Sequence, residues 1–258
     1  SISNLAYLSI ASGGGTRIFN SSSLQRDSIG LIDWDRVIED NQVNSLFGTP
    51  NVDAAYHPTL IKSNNVLLAS VNKHFWVGYL GQFNYEFTEK VSFSGGIDYR
   101  FYKGEHYQEI KDLLGGDYFV STANQNSSTA MMVEGDKVAK NAYNAYRDGL
   151  VNWIGSFGQM EYTGDKWSTF INVSGIVNSY KGIDYFQKRE LDLGDTILQI
   201  GANDTINYNG EEYTSNSSGL TNVQTDWKTI PGFTFKSGAS YAVNDHSNVF
   251  MNIGYLSR

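Results

Sequence analysis

Four histidines, His57, His74, His106 and His246, stand far apart in the chain, and no two have the spacing by which ligands on one element share a metal ion. They read as solvated or wall-lining imidazoles, and no metal is expected. There is no G-x-S-x-G elbow, no H-E-x-x-H helix and no cysteine, so neither an activated serine, a zinc-hydrolase helix nor a thiolate is available. Catalytic residues and cofactors are therefore expected to be absent. The carboxylates Asp33, Asp35, Glu39 and Asp40 lack the alternating ligands and central glycine of a calcium loop, and read as a solvated helix face. Gly13, Gly14 and Gly15 follow an apolar strand, but no G-K-[ST] comes after them, so they read as a flexible loop entry rather than a phosphate cradle. Asp98 and Arg100, two apart on one strand face, read as a charge network lining a wet wall, with a ligand contact as the alternative. Trp34, Tyr102, Tyr107, Tyr118 and Phe119 carry rings that can stack on a flat ligand or on one another. These seven residues are the candidate contacts.

The element that must position Asp98 and Arg100 is the stretch from Phe75 to Tyr102. Phe75, Val77, Tyr79, Gly81, Phe83, Tyr85 and Phe87 alternate with Gln82, Asn84 and Glu86. After Thr88, Glu89 and Lys90, the residues Val91, Phe93, Ile97, Tyr99 and Phe101 alternate with Ser92, Ser94, Asp98 and Arg100. Strict period two over two arms joined by a tight turn is a β-hairpin. Each arm is about a dozen residues, enough to cross a bilayer at a tilt, which takes ~9–11 residues. No run of 18 apolar residues occurs, which excludes a membrane-spanning helix but not a barrel, whose strands hide apolar residues at alternate positions. The formal charge of −8 argues against nucleic acid as a partner.

Leu5 to Ser12 reads as a first strand. A second hairpin spans Leu150 to about Phe186 around Gly164, Asp165 and Lys166, and a third pairs Phe233–Val243 with Val249–Leu256. Long connectors at about 16–72, 103–147 and 188–230 alternate with the three short turns. The first connector carries a predicted helix capped by Asp33, with Trp34, Val37 and Ile38 on one face. The second carries a predicted helix through Tyr107, Ile110 and Leu114, stopped by Gly115 and Gly116. The fold class expected is all-β: part of a large antiparallel transmembrane β-barrel, about seven strands here, with long extracellular loops carrying short helices. Tyr85, Phe87, Tyr162, Trp167 and Tyr241 would form one aromatic girdle, and Tyr99, Phe101, Tyr180 and Phe186 the other. An odd strand count and a last stretch, VFMNIGYLSR, that stops within a strand pattern suggest one partial barrel domain over 1–258 of a longer chain.

The run YRFYKGEHYQEIKDLLGGDYF from Tyr99 to Phe119, the opening SIASGGGTR, GLVNWIGSFGQMEY, YKGIDYF and the closing NVFMNIGYLSR resemble the barrel of Bacteroidetes-type TonB-dependent receptors, which include the SusC-like importers. The resemblance implies a barrel of about 22 strands in the Gram-negative outer membrane, with its loops extracellular. It also implies an N-terminal plug with a TonB box, neither of which is in this sequence, and a surface lipoprotein partner. The function implied is import of a small molecule, glycan or peptide, with outer-membrane lipid around the strands. The alternative is a passive pore or a surface adhesion or assembly component.

Overall fold

The computed structural model describes residues 1–19, 24–44, 47–139 and 146–257. Its frame is seven long strands: β1 Ile2–Ile18, β2 Leu67–Thr88, β3 Val91–Asp112, β4 Arg147–Thr163, β5 Trp167–Asp184, β6 Lys228–Asn244 and β7 Ser247–Ser257. Each pairs antiparallel with its neighbour in chain order, which makes the sheet an up-and-down meander. Two short strands, Lys137–Val138 and Val223–Gln224, add to β3 and β5. β1 and β7 are edges that do not pair with each other, so the sheet is open and not closed into a barrel.

The short turns lie at Glu89–Lys90, at 164–166 and at Asp245–His246, all at one end of the sheet. The described residues of the connectors 19–66, 113–146 and 185–227 lie at the other. The alternation of short and long connections is as the sequence predicts, but the strands are longer, β2 and β3 reaching 22 residues each. The helix expected through Tyr107, Ile110 and Leu114 is not formed. β3 continues to Asp112 because residues 103–112 find β2 on one side and β4, then Lys137–Val138, on the other. Those ladders satisfy the backbone groups that a helix would otherwise satisfy internally. The stop at Gly115 does hold, with φ +89. Nor does β1 end at the glycine triplet, since it pairs with β2 as far as Ile18. Gly14 lies so close to the Ser70 carbonyl that a Cβ would overlap it, which makes it a close-approach glycine rather than a loop entry.

Residues directly opposite in an antiparallel ladder share a face. Through the register, Leu8, Val77, Phe101, Asn152, Ser179 and Thr229 form one row, and Ala6, Tyr79, Tyr99, Ile154, Val177 and Pro231 form the next, two residues further along. This face is apolar over the middle of every strand and has no second layer on it among the described residues: Ile97 is 53% exposed and Ile171 51%. The opposite face carries Gln82, Ser94, Asp98, Arg100, Gln159, Asn172, Asn178 and Lys236. A soluble sandwich would bury one face of this sheet against another. That cover is not present here.

What core there is lies in the long connectors and the strand ends that meet them. Val66, Leu68, Ile110, Leu113, Phe119, Met132 and Val138 form one buried cluster with Phe19 against it, and Ala139 and Phe186 form a second. The helix α1, Trp34–Gln42, is capped by Asp33, whose carboxylate accepts from Arg36 N–H at 3.1 Å. It is the one helix among the described residues, so the expectation of several short loop helices is not met. The last connector instead carries two small hairpins, Arg189–Asp192 with Ile197–Ile200 and Thr205–Tyr208 with Glu211–Thr214.

Asn41 on α1 is fully buried and holds the first two connectors together. Its amide donates to the carbonyls of Asn65 at 2.8 Å, Leu114 at 2.9 Å and Leu113 at 3.2 Å, while its oxygen accepts from the N–H groups of Asn64 and Asn65, both at 2.9 Å. The connectors are also tied by Ser63 N–H to Tyr118 O, and by the Asn126 amide donating to Tyr185 O and Gln187 O. All three long connectors are thereby knitted into one layer over one end of the sheet.

Candidate functional site

The polar face is built by alternation, and cross-strand register decides which of its residues meet. One row reads Ser9, Trp76, Tyr102, Val151 and Tyr180, and the next Tyr7, Gly78, Arg100, Trp153 and Asn178. Asp98 and Arg100 are joined by a two-point ion pair, Nε to Oδ1 at 3.0 Å and Nη2 to Oδ2 at 2.6 Å. The guanidinium also lies 5.3 Å from the Trp153 ring centre. A pre-paired, stacked guanidinium has lost much of its motional freedom and presents a fixed edge. Tyr102 packs edge-on to Trp76 at 5.2 Å and against His74 at 5.6 Å.

Glycines let large rings lie flat on this wall. A Cβ on Gly78 would overlap the Tyr7 ring, one on Gly96 would sit 2.7 Å from Phe157, and one on Gly238 2.6 Å from Phe170. Each ring belongs to the residue directly opposite its glycine. The wall therefore combines aromatic faces, a fixed ion pair and amide groups. The buried indole nitrogens of Trp76 and Trp153 and the Asn178 carbonyl oxygen have no hydrogen-bond partner among the described residues. That chemistry suits a neutral polar ligand or a packed polar domain better than a strongly charged one.

The seven expected contacts do not converge. Asp98, Arg100 and Tyr102 share the polar wall. Tyr107 belongs to the other face, opposite Val71, and is buried. Tyr118 and Phe119 are corrected to loop core: Tyr118 is fully buried, and Phe119 lies edge-on to Phe19 at 4.9 Å inside the first cluster, so neither offers a free ring. Trp34 shares the helix face of the buried Val37 and Asn41, but in the first turn of α1 it is still 44% exposed. Of the expected girdles, Tyr180 falls on the polar face beside Val151 and Lys228, and Phe186 is buried in the second cluster. At the short-turn end the aromatics do meet, with the Trp167 and Tyr241 rings 4.6 Å apart and those of Tyr85 and Phe87 4.9 Å apart.

Sequence reasoning missed His74, Trp76, Trp153 and Tyr7. Trp76 sits at an even position of the predicted first arm, whereas His74 lies just before that arm, in the part of β2 the alternation did not reach. Their meeting with β1 and β4 depends on register, which no local pattern fixes.

A second assembly lies at the base of the long connectors. Lys137 is 3.7 Å from the Tyr146 ring centre and 4.5 Å from that of Tyr107, and burial pushes its pKa down. Tyr146 stacks on Tyr185 at 4.3 Å. The Tyr185 hydroxyl donates to buried Asp148 at 2.7 Å, and that carboxylate also pairs with Lys103 at 2.9 Å. Burial and this bond push the Tyr185 pKa up to about 12. An adjoining cleft of about 550 Å³ is lined by Asn124, Ser127, Thr129, Lys137, Tyr146 and Tyr185 among others. Among the described residues no group of three or more His, Cys, Asp or Glu is placed to hold a metal ion, and no helix is long and apolar enough to cross a membrane. Comparison of the chain with family models, curated proteins and solved structures finds no match.

Proposed function

We propose that these residues are part of the wall and outer loops of an outer-membrane β-barrel importer coupled to TonB, taking up a small nutrient of the glycan or peptide class. The carrying observation is the uncovered apolar face over long meander strands, set against a polar opposite face. From Phe75 to Tyr85 the strand covers about 33 Å, or about 25 Å of membrane normal at ~40° tilt, the height of a barrel's apolar band. The two free edges support further strands completing the barrel, since a bare edge in lipid leaves backbone groups unsatisfied. The knitted layer of long connectors and its polar, tyrosine-lined cleft support capture of ligand from outside. The wall's rings and amides support either a ligand path or contact with a plug.

The test is uptake by cells producing the full-length parent protein. Import that stops when the proton gradient is collapsed supports TonB coupling. Import that persists, together with steady ion conductance in a planar bilayer, would assign a passive pore instead. A parent protein that imports nothing and conducts nothing would leave the adhesion or assembly role.

A further inference from the structure

Two of the four histidines meet on the polar face near the loop end. His74 lies directly opposite Gly104 in the β2–β3 ladder, and His106 directly opposite Asn72. Their ring centres are 6.2 Å apart and the planes near perpendicular, at 77°. His74 Nδ1 is 2.5 Å from the Tyr102 hydroxyl. His106 Nδ1 is 2.6 Å from Asn72 Oδ1, and since an amide oxygen only accepts, the proton is on Nδ1 and the lone pair on Nε2. That lone pair and the Tyr102 oxygen both hang over Gly104: a Cβ there would overlap the phenol and lie 3.1 Å from His106 Nε2. The missing side chain thus lets the Tyr102 hydroxyl lie over Gly104 between the two rings, bonded to His74 Nδ1 on one side and close to His106 Nε2 on the other.

We propose that His74, His106 and Tyr102 form a binding site for a first-row transition-metal dication, copper(II) in preference to zinc(II). Metal–nitrogen bonds of about 2.0–2.1 Å to two imidazoles put their ring centres roughly 5–6.5 Å apart, which the resting separation already meets. An N₂O donor set suits these ions, and affinity rises to copper across the series. The His106–Asn72 bond is the outer contact that fixes a ligating imidazole's tautomer and orientation. On binding, the proton shared by Tyr102 and His74 leaves for water, the metal takes His74 Nδ1 and the phenolate oxygen, and His106 Nε2 completes the protein ligands. Arg147, opposite His106, is paired with Asp184 at 2.9 Å, and Lys103, next to Tyr102, with Asp148 at 2.9 Å. The site rests on the β2–β3 hairpin alone, so it stands or falls independently of the transport reading.

The experiment is a copper(II) titration of the full-length parent protein in detergent micelles. It is followed by quenching of Trp76, whose ring is 5.2 Å from that of Tyr102, and by nitrogen hyperfine structure in the copper resonance spectrum. One ion per chain with two nitrogen ligands and release of one proton is expected. His74→Gln and His106→Gln each abolish the two-nitrogen spectrum, Asn72→Ala weakens binding about 10–100-fold, Tyr102→Phe removes the proton release, and His57→Gln and His246→Gln change nothing. Copper that binds equally well to a His74→Gln/His106→Gln double variant would overturn the proposal, as would a titration that never saturates. Should those variants fail to fold, bound copper in the unaltered protein must protect His74 and His106, but not His57, from diethyl pyrocarbonate. Equal modification of all three with and without copper would overturn the proposal as well.

Discussion

Replacing Asn41 with alanine removes a side chain that five hydrogen-bond contacts place between the first two connectors. An amide has only two N–H bonds, and Leu113 O is also served by Ser63 Oγ at 2.6 Å, so four contacts carry the energy. At about 1 kcal/mol each, the loss is about 4 kcal/mol, or roughly a thousandfold in the local opening equilibrium. Water entering the space would restore part of it, leaving at least about 2 kcal/mol, or roughly thirtyfold. Asn41→Asp keeps the acceptor but turns a carboxylate towards three carbonyl oxygens, so it should be no better. The assay is amide hydrogen exchange at Asn64 and Asn65, with β5 amides such as Val173 as the internal reference. Protection at Asn64 and Asn65 should fall by that factor while β5 is unmoved. A fall of less than threefold would show that α1 is not what holds the connectors together.

Gly14→Ala should impair assembly, because its Cβ meets the Ser70 backbone, whereas Gly13→Ala and Gly15→Ala, with nothing within 4 Å, should not; folded yield and heat-shifted gel mobility report both. Ile171→Lys on the apolar face should cost about 2–4 kcal/mol in urea-driven unfolding from lipid, and Asn172→Lys on the polar face close to nothing. Equal tolerance of the two would contradict lipid contact. For Tyr185, a phenol whose folded pKa is raised above its unfolded value near 10 stabilises the fold below pH 10. That contribution is lost as pH rises from about 10 towards 12. Tyr185→Phe should remove this alkaline component of stability in pH-dependent unfolding; an unchanged alkaline slope would refute it.

The hairpins were legible because period two is set by the pleat itself. Phe75 to Phe87 and Val91 to Phe101 could take no other face assignment without exposing Asp98 and Glu86 on the apolar side. The turns at Glu89–Lys90 and 164–166 followed from the breaks in that pattern, and Asp33 as a cap from its place before Trp34. The upper half of β3 was misread since Tyr107, Ile110 and Leu114 also fit a helix, and only the ladders on both sides decide for strand. For Tyr118 and Phe119 ring stacking on a ligand and ring packing between loops were both open, and the core that decides for packing is made by segments distant in sequence. The same limit hid His74 beside His106 and Trp153 beneath Arg100: register joins them, and register is a tertiary property.

The most direct test of lipid contact uses spin labels on single cysteines, for which these 258 residues contribute no competing thiol. Single cysteines at Ile97 and Ile171 on the apolar face and at Ser94 and Asn172 on the polar face can each carry a spin label in the full-length parent protein in bilayers. Labels at Ile97 and Ile171 should be relaxed by oxygen and shielded from a water-soluble nickel complex, and labels at Ser94 and Asn172 should show the reverse. Nickel-accessible labels at Ile97 and Ile171 would contradict the assignment of that face to lipid.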